Sequence, residues 1–426
     1  MPFSSFGFSP ALLRSVGMKS YAAPTPIQVQ AIPAALAGHD VLGSAQTGSG
    51  KTLAFGLPLL QKLEQVPLGK PRRLRALILV PTRELAAQVG GEIYSLAQHL
   101  PQALKIITVF GGVSINPQMM NLRGGADIVV ATPGRLLDLM EHNALTLNDV
   151  SLLVLDEADR LLDLGFSAEL DRLLALMPKA RQNLFFSATF PAEVMALADK
   201  LLRNPVRIEV PTEPQTRPDI AQRAILVDAN RRTQLLRHLI TENHWKRVLV
   251  FVATKHAAET ISDKLRKARI YAEPFHGELS QGKRTQVLAD FKASRLKVVV
   301  ATDVAARGLD IAALPVVVNY DLPRSALDYV HRIGRTGRAG ESGVAVSFIS
   351  ADSERHFRLI EKHQQGNVER EVIVGFEPLE APMAETESVE DAQPSTGGIK
   401  GRRPSKKDKL RAAAAHGQDD VSTRAA

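Results

Sequence analysis

The stretch Val41-Leu42-Gly43-Ser44-Ala45-Gln46-Thr47-Gly48-Ser49-Gly50-Lys51-Thr52 joins a short apolar run to the helical pattern Leu53 to Leu63. The connecting loop is made of small residues and ends in lysine and threonine. Small residues let backbone amides converge on an anion, and the helix start that follows adds positive potential. In that setting Lys51 is placed to meet β- and γ-phosphates, and Thr52 to hold magnesium. The strict form of the loop has glycine where Ala45 stands. The loop alone therefore leaves the choice among phosphate-binding proteins open.

Outward from the loop, apolar runs alternate with amphipathic stretches: Ala76 to Val80, Ile106 to Phe110, Ile128 to Ala131, Leu152 to Leu155 and Leu184 to Phe186. This rhythm predicts an α/β fold of parallel strands with crossover helices. It restarts after residue 220 at Val248 to Val252, Val298 to Ala301, Val316 to Tyr320 and Val344 to Ile349, so a second α/β unit is expected. Pro205, Pro211, Pro214 and Pro218 punctuate the polar stretch between them. Prolines so spaced continue neither a helix nor a central strand. The expected organisation is a first domain over 1–205, a linker over 206–220, a second domain over 221–378 and a disordered, partly basic tail over 379–426.

Of the 426 residues, 45% are hydrophobic and 23% charged, enough to bury two cores and to exclude global disorder. The absence of cysteine removes disulfides, thiol nucleophiles and Cys-ligated zinc. With no apolar run of membrane-spanning length and no leader-like start, a soluble cytoplasmic protein is expected. Lys and Arg outnumber Asp and Glu by 53 to 45, a balance that favours a polyanionic partner. Within the tail, Lys400, Arg402, Arg403, Lys406, Lys407, Lys409 and Arg411 cluster around the single acid Asp408. A solvated charge run and transient phosphate attraction are both compatible with that composition.

A second signal sharpens the first. The strand Leu152 to Leu155 ends in Asp156 and Glu157, which places two carboxylates at the strand's C-terminal edge beside the phosphate loop. There Asp156 would fix magnesium through its water shell, and Glu157 would orient and deprotonate the water attacking a γ-phosphate. Kinases and transport ATPases share these groups, so something further must choose among them.

Asp156-Glu157-Ala158-Asp159 spells the motif that names the DEAD-box family, and the chain resembles that family from about Phe3 to about Phe376. The resemblance implies two tandem RecA-like domains and an ATP-dependent RNA helicase, an ATP hydrolase with ATP and Mg2+ as cofactors. Phe3 stands where the family carries an upstream aromatic. Tyr21 to Gln28 resembles its Q motif, in which Tyr21 would stack on adenine, Gln28 would read its edge, and Thr25 would lie at the same nucleotide. Ala45, Gln46, Thr47, Gly48, Ser49, Gly50, Lys51 and Thr52 would complete the nucleotide site, with Asp310 on the ribose.

By the same resemblance, Pro81, Thr82, Arg83, Gly112, Thr132, Pro133, Gly134 and Arg135 would contact RNA from the first domain, and Thr254, Arg284, Thr302 and Gly308 from the second. Ser187 and Thr189 would couple hydrolysis to unwinding through hydroxyl bonds to Asp159, with His331 in the same role. Arg335 and Arg338, three apart and framed by glycines, suit fingers reaching across a cleft to the γ-phosphate. The catalytic set is then Lys51, Asp156, Glu157, Arg335 and Arg338, split between two domains, so hydrolysis requires closure.

Backbone amides, hydroxyls and arginines suit phosphates and 2′-hydroxyls better than base edges. The resulting expectation is a monomer that binds single-stranded and short duplex RNA without sequence preference, with ribosomal precursor particles or RNA-decay machinery as partners of the tail. An ATP-gated RNA clamp and a DNA helicase on the same plan remain open alternatives. The short N-terminus and compact core look similar to bacterial RhlE-like members of the family.

Overall fold

Val, Ile and Leu occupy both faces of the central strands, as a parallel sheet covered by helices on each side requires. In the computed structural model, residues 2–19, 21, 23–44, 49–210, 220–306, 314–337, 342–364 and 366–379 are described. The first lobe is built on β1 Val41–Ser44, β2 Ala76–Leu79, β3 Ile106–Val109, β4 Ile128–Ala131, β5 Leu152–Leu155, β6 Gln182–Ser187 and β7 Val206–Glu209. These make a parallel sheet in the order β3-β4-β2-β5-β6-β1-β7. Around them run α1 Pro10–Met18, α2 Pro26–Leu36, α3 Lys51–Glu64, α4 Arg83–Ala97, α5 Ile115–Leu122, α6 Pro133–Glu141, α7 Ala158–Asp163, α8 Ser167–Ala175 and α9 Ala192–Leu201.

Alternation along each strand feeds two cores. Ala76 and Ile78 face one apolar layer with Phe55, Leu60 and Ile93. Leu77 and Leu79 face another with Leu136, Leu161 and Phe185. Phe3 is buried in the first layer, against Phe6.

The second lobe repeats the plan with β8 Ile220–Leu226, β9 Val248–Val252, β10 Ala272–Phe275, β11 Val298–Thr302, β12 Val316–Asn319, β13 Gly343–Ile349 and β14 Arg370–Glu371. Its parallel sheet runs β10-β11-β9-β12-β13-β8-β14. The helices are α10 Arg232–Glu242, α11 Lys255–Lys267, α12 Gln281–Lys292, α13 Asp303–Ala306, α14 Ala326–Ile333 and α15 Glu354–Gln364. Gly343 is required by close approach, because a Cβ there would fall 1.8 Å from Thr336 Oγ1.

Val206–Glu209, at the start of the stretch read from sequence as linker, is instead the edge strand β7 hydrogen-bonded to β1. Only Ile208 of its four residues is buried, so the strand reads as polar and its flanking prolines as a break. Ile220 likewise opens β8. Residues 211–219 and the expected tail beyond Leu379 lie outside the described residues.

Candidate functional site

Gly50 caps α3 in the left-handed region, with φ 92°. A Cβ at this position would meet Gln28 Nε2 at 2.4 Å, so both backbone and space demand glycine. Gln28 Nε2 donates to the Gly50 carbonyl at 3.0 Å, while Gln28 Oε1 accepts from the Thr25 amide at 3.0 Å. The glutamine thus ties the loop before α2 to the phosphate loop and keeps one donor and one acceptor in hand. Two hydroxyls at this junction, Thr25 Oγ1 and Ser49 Oγ, are buried without a protein partner among the described residues. Ala45, Gln46, Thr47 and Gly48 lie outside the described residues.

At the first turn of α3, buried Lys51 extends its Nζ to 3.8 Å from Asp156 Oδ1, at the end of β5. Thr52 follows it, half-buried. Burial pushes the Asp156 carboxyl up to about 6; Lys51 opposes this and Glu157 adds to it. Glu157 adopts φ 53°, and its amide donates to Asp156 Oδ1 at 3.0 Å. Burial also disfavours charge on Glu157, but Arg160, Lys51 and Arg335 together hold its pKa below the usual carboxylate value. Arg160 Nη1 lies 2.7 Å from Glu157 Oε2, both groups buried. A carboxylate so stabilised suits orienting a water better than removing its proton.

Asp159 is the hub of a second network. The Thr189 amide and hydroxyl both donate to Asp159 Oδ2, at 3.0 and 2.9 Å. Ser187 behaves differently from the sequence expectation: its Oγ accepts from the Asp159 amide at 3.2 Å and donates to the Thr189 carbonyl at 2.7 Å. Only one of the two hydroxyls therefore reaches the carboxylate. Ser187 Oγ is taken up by backbone groups on either side.

Loops after the strands carry the remaining residues. Thr82 and Thr254 cap α4 and α11, their hydroxyls accepting from Leu85 and Ala257 amides. Thr132 starts α6, which opens with Pro133, Gly134 and Arg135, and its Oγ1 accepts from Gly111. Arg135 donates to the Val113 carbonyl at 2.7 Å, yet its buried Nη1 has no partner among the described residues. Pro81 is buried, and Gly112 lies against Arg83 at φ 77°.

Between the lobes, Arg83 donates to the Gly277 carbonyl at 3.0 Å, and Arg284 donates Nε to Glu84 Oε1 at 2.7 Å. Arg284, expected at RNA, is thus committed to an ion pair. It also stacks over Phe275 at 4.3 Å. Thr302 closes β11, half-buried. On α14, burial lowers His331 to about 4, with Arg160 acting in the same sense and Asp159 against it. Arg335 is buried and acts on Glu157. Arg338, Gly308 and Asp310 lie outside the described residues.

Two family models match the chain: the DEAD/DEAH box helicase model over residues 25–197 and the helicase conserved C-terminal domain model over residues 231–340. A Bacillus cereus protein, DEAD-box ATP-dependent RNA helicase CshA, is 39% identical over 368 residues, covering 86% of this chain and 69% of its own length. This chain belongs to the DEAD-box family of ATP-dependent RNA helicases. The Bacillus subtilis CshA helicase is 38% identical over 368 residues, or 86% of this chain and 73% of that one. Yeast Dbp5 bound to RNA and ADP BeF3 superposes with TM-score 0.74 at 31% identity, covering 88% of this chain and 95% of the chain in that structure. Both lobes are thus RecA-like, as expected. These DEAD-box relatives carry the name CshA, and none of them supports the narrower RhlE-like likeness.

For this DEAD-box chain, sequence reasoning missed three groups. Arg160 sits three residues after Glu157, a helical spacing that could have flagged the ion pair. Arg332 holds α14 in place through Asp303, with Nε–Oδ1 at 2.6 Å, and through the Asp321 carbonyl at 2.6 Å. Glu84 had no signal, because its partner lies in the other lobe.

Proposed function

We propose that ATP binding draws the two lobes together on RNA, that hydrolysis follows closure, and that the closed grip separates short duplexes locally. The observation carrying this reading is that the lobes meet through Arg284 and Glu84 at 2.7 Å and through Arg83 and the Gly277 carbonyl at 3.0 Å, with Arg335 of the second lobe buried. A guanidinium there would stabilise charge on the transferring phosphoryl group. Tyr21, Thr25, Gln28, Ser49, Gly50, Lys51 and Thr52 would hold the nucleotide, and Glu157 would orient the attacking water. Asp159, Ser187, Thr189 and His331 would transmit the state of the site.

The donor set fits a magnesium ion. The Asp156 carboxylate and Thr52 hydroxyl are hard oxygen donors, and burial disfavours the Asp156 charge that a bound cation would stabilise. Magnesium, when bound, supplies charge neutralisation at the β- and γ-phosphates.

The helix starts after Thr82, Thr132 and Thr254, together with Arg83 and Arg135, would track the phosphates of a single strand. Arg284, paired with Glu84 across the lobes, would approach the strand from the second lobe. Among the described residues no helix is long and apolar enough to cross a membrane, and the protein would act as a cytoplasmic monomer. The basic tail cluster would add RNA affinity by raising local concentration.

The test is ATPase and strand separation on matched RNA and DNA duplexes. RNA-stimulated turnover with RNA-selective unwinding supports the reading; equal activity on DNA removes it.

A further inference from the structure

Lys19 and Tyr21, in the chain leading from α1 to α2, converge on one acid of α4. The Tyr21 hydroxyl donates to Glu92 Oε1 at 3.1 Å. Lys19 Nζ lies 2.6 Å from Glu92 Oε2, and both of these side chains are little exposed, at 21% and 23%. The Tyr21 ring itself is 39% exposed. A half-exposed ring in a loop has two side-chain torsions to settle, and nothing in an apolar neighbourhood alone would fix its plane.

We propose that Glu92 is a positioning residue for the adenine platform, holding the Tyr21 ring in its stacking plane through the phenolic hydroxyl while Lys19 fixes the carboxylate. The inference rests on the reading of Tyr21 as the adenine-stacking group. Three features carry it. A phenol is needed for this anchor, since a phenylalanine ring offers no donor. One carboxylate serves both partners with separate oxygens, so neither bond weakens the other. The same helix bears Glu84 in its first turn, and the eight steps from Glu84 to Glu92 span about 12 Å of rigid rod. The platform is therefore mounted on the element that also carries the ion pair between the lobes.

The experiment measures ATP KM and kcat, and inhibition constants for ADP and for inorganic tripolyphosphate, which lacks the base, in Glu92→Ala, Glu92→Gln, Tyr21→Phe, Tyr21→Ala and the Tyr21→Phe/Glu92→Ala pair. Losing an ordering hydrogen bond should raise the KM and the ADP constant about fivefold in Glu92→Ala, with kcat moving less and tripolyphosphate unaffected. Glu92→Gln keeps an acceptor and should recover most of the loss. In the Tyr21→Phe background, Glu92→Ala should add nothing. Equal weakening of ADP and tripolyphosphate, or an undiminished Glu92→Ala effect without the hydroxyl, overturns the positioning role while leaving the platform intact. Unchanged ADP affinity in Tyr21→Ala overturns the platform itself.

Discussion

Arg284 of the second lobe and Glu84 of the first form an ion pair, Nη2 to Oε1 at 2.5 Å, in which neither side chain is more than 8% exposed. Charges removed from water this thoroughly are costly unless matched, so separating the lobes without hydrating both partners is unfavourable. The pair therefore favours the closed arrangement. Charged groups in direct contact couple by ~1–3 kcal/mol, so Glu84→Gln should lower RNA-stimulated ATPase about tenfold or more. Arg284→Gln should do the same, and the double variant should be no worse than either. Additive losses in the double-mutant cycle would show that the two residues act independently.

Glu157→Gln keeps the shape and removes the charge proposed to orient the water. Turnover should fall by roughly 10² to 10⁴ while ATP affinity stays within a few-fold of the parent. Equilibrium nucleotide binding alongside single-turnover hydrolysis reads both quantities; undiminished hydrolysis would remove the assigned role.

Asp156 gives a pH signature. Its carboxyl is raised by burial from the ordinary 3.8 to about 6, so between those values the folded chain binds a proton that the unfolded chain has released. Stability of the metal-free protein should accordingly fall as pH rises through that window, and the cost is fully present above about 6. Asp156→Asn cannot titrate. The melting temperature of the variant relative to the parent, measured in chelator, should rise from pH 5 to pH 8. A difference that shrinks over that range contradicts the assignment.

Thr189 is the hydroxyl that reaches Asp159, so Thr189→Val should uncouple unwinding from hydrolysis. A hydrogen bond to a charged group contributes ~1.5–3 kcal/mol, and RNA duplex separation should drop roughly tenfold with ATPase changing less. Thr189→Ser should restore it. Equal loss of both activities in Thr189→Val would place the residue in the hydrolytic step instead.

The sequence made the site legible where chemistry is local. Lys51 and Thr52 stand at a strand–loop–helix junction, and Asp156 and Glu157 at a strand end, so spacing alone put them together. Ten of the strands were legible for the same reason, since buried parallel strands are written as continuous apolar runs, whereas β8, β10 and β14 of the second sheet were not read from sequence. What escaped was written across distance. Arg284 and Glu84 are 200 residues apart, and no local spacing announces a pair that forms between two lobes. Ser187 and Thr189 both offer hydroxyls, and only the fold of the β6 end decides that one meets the Asp159 carboxylate and the other its amide. The edge strand β7 escaped because three of its four residues are exposed.

Gln28 grips the Gly50 carbonyl with the same amide group that is proposed to read a base. Base preference and loop shape therefore share one side chain, and redesign of this enzyme toward guanine cannot proceed by exchanging residue 28 alone. Any replacement that recognises another base must also replace the strut beneath the phosphates, or selectivity will be gained only by slackening the grip on every nucleotide.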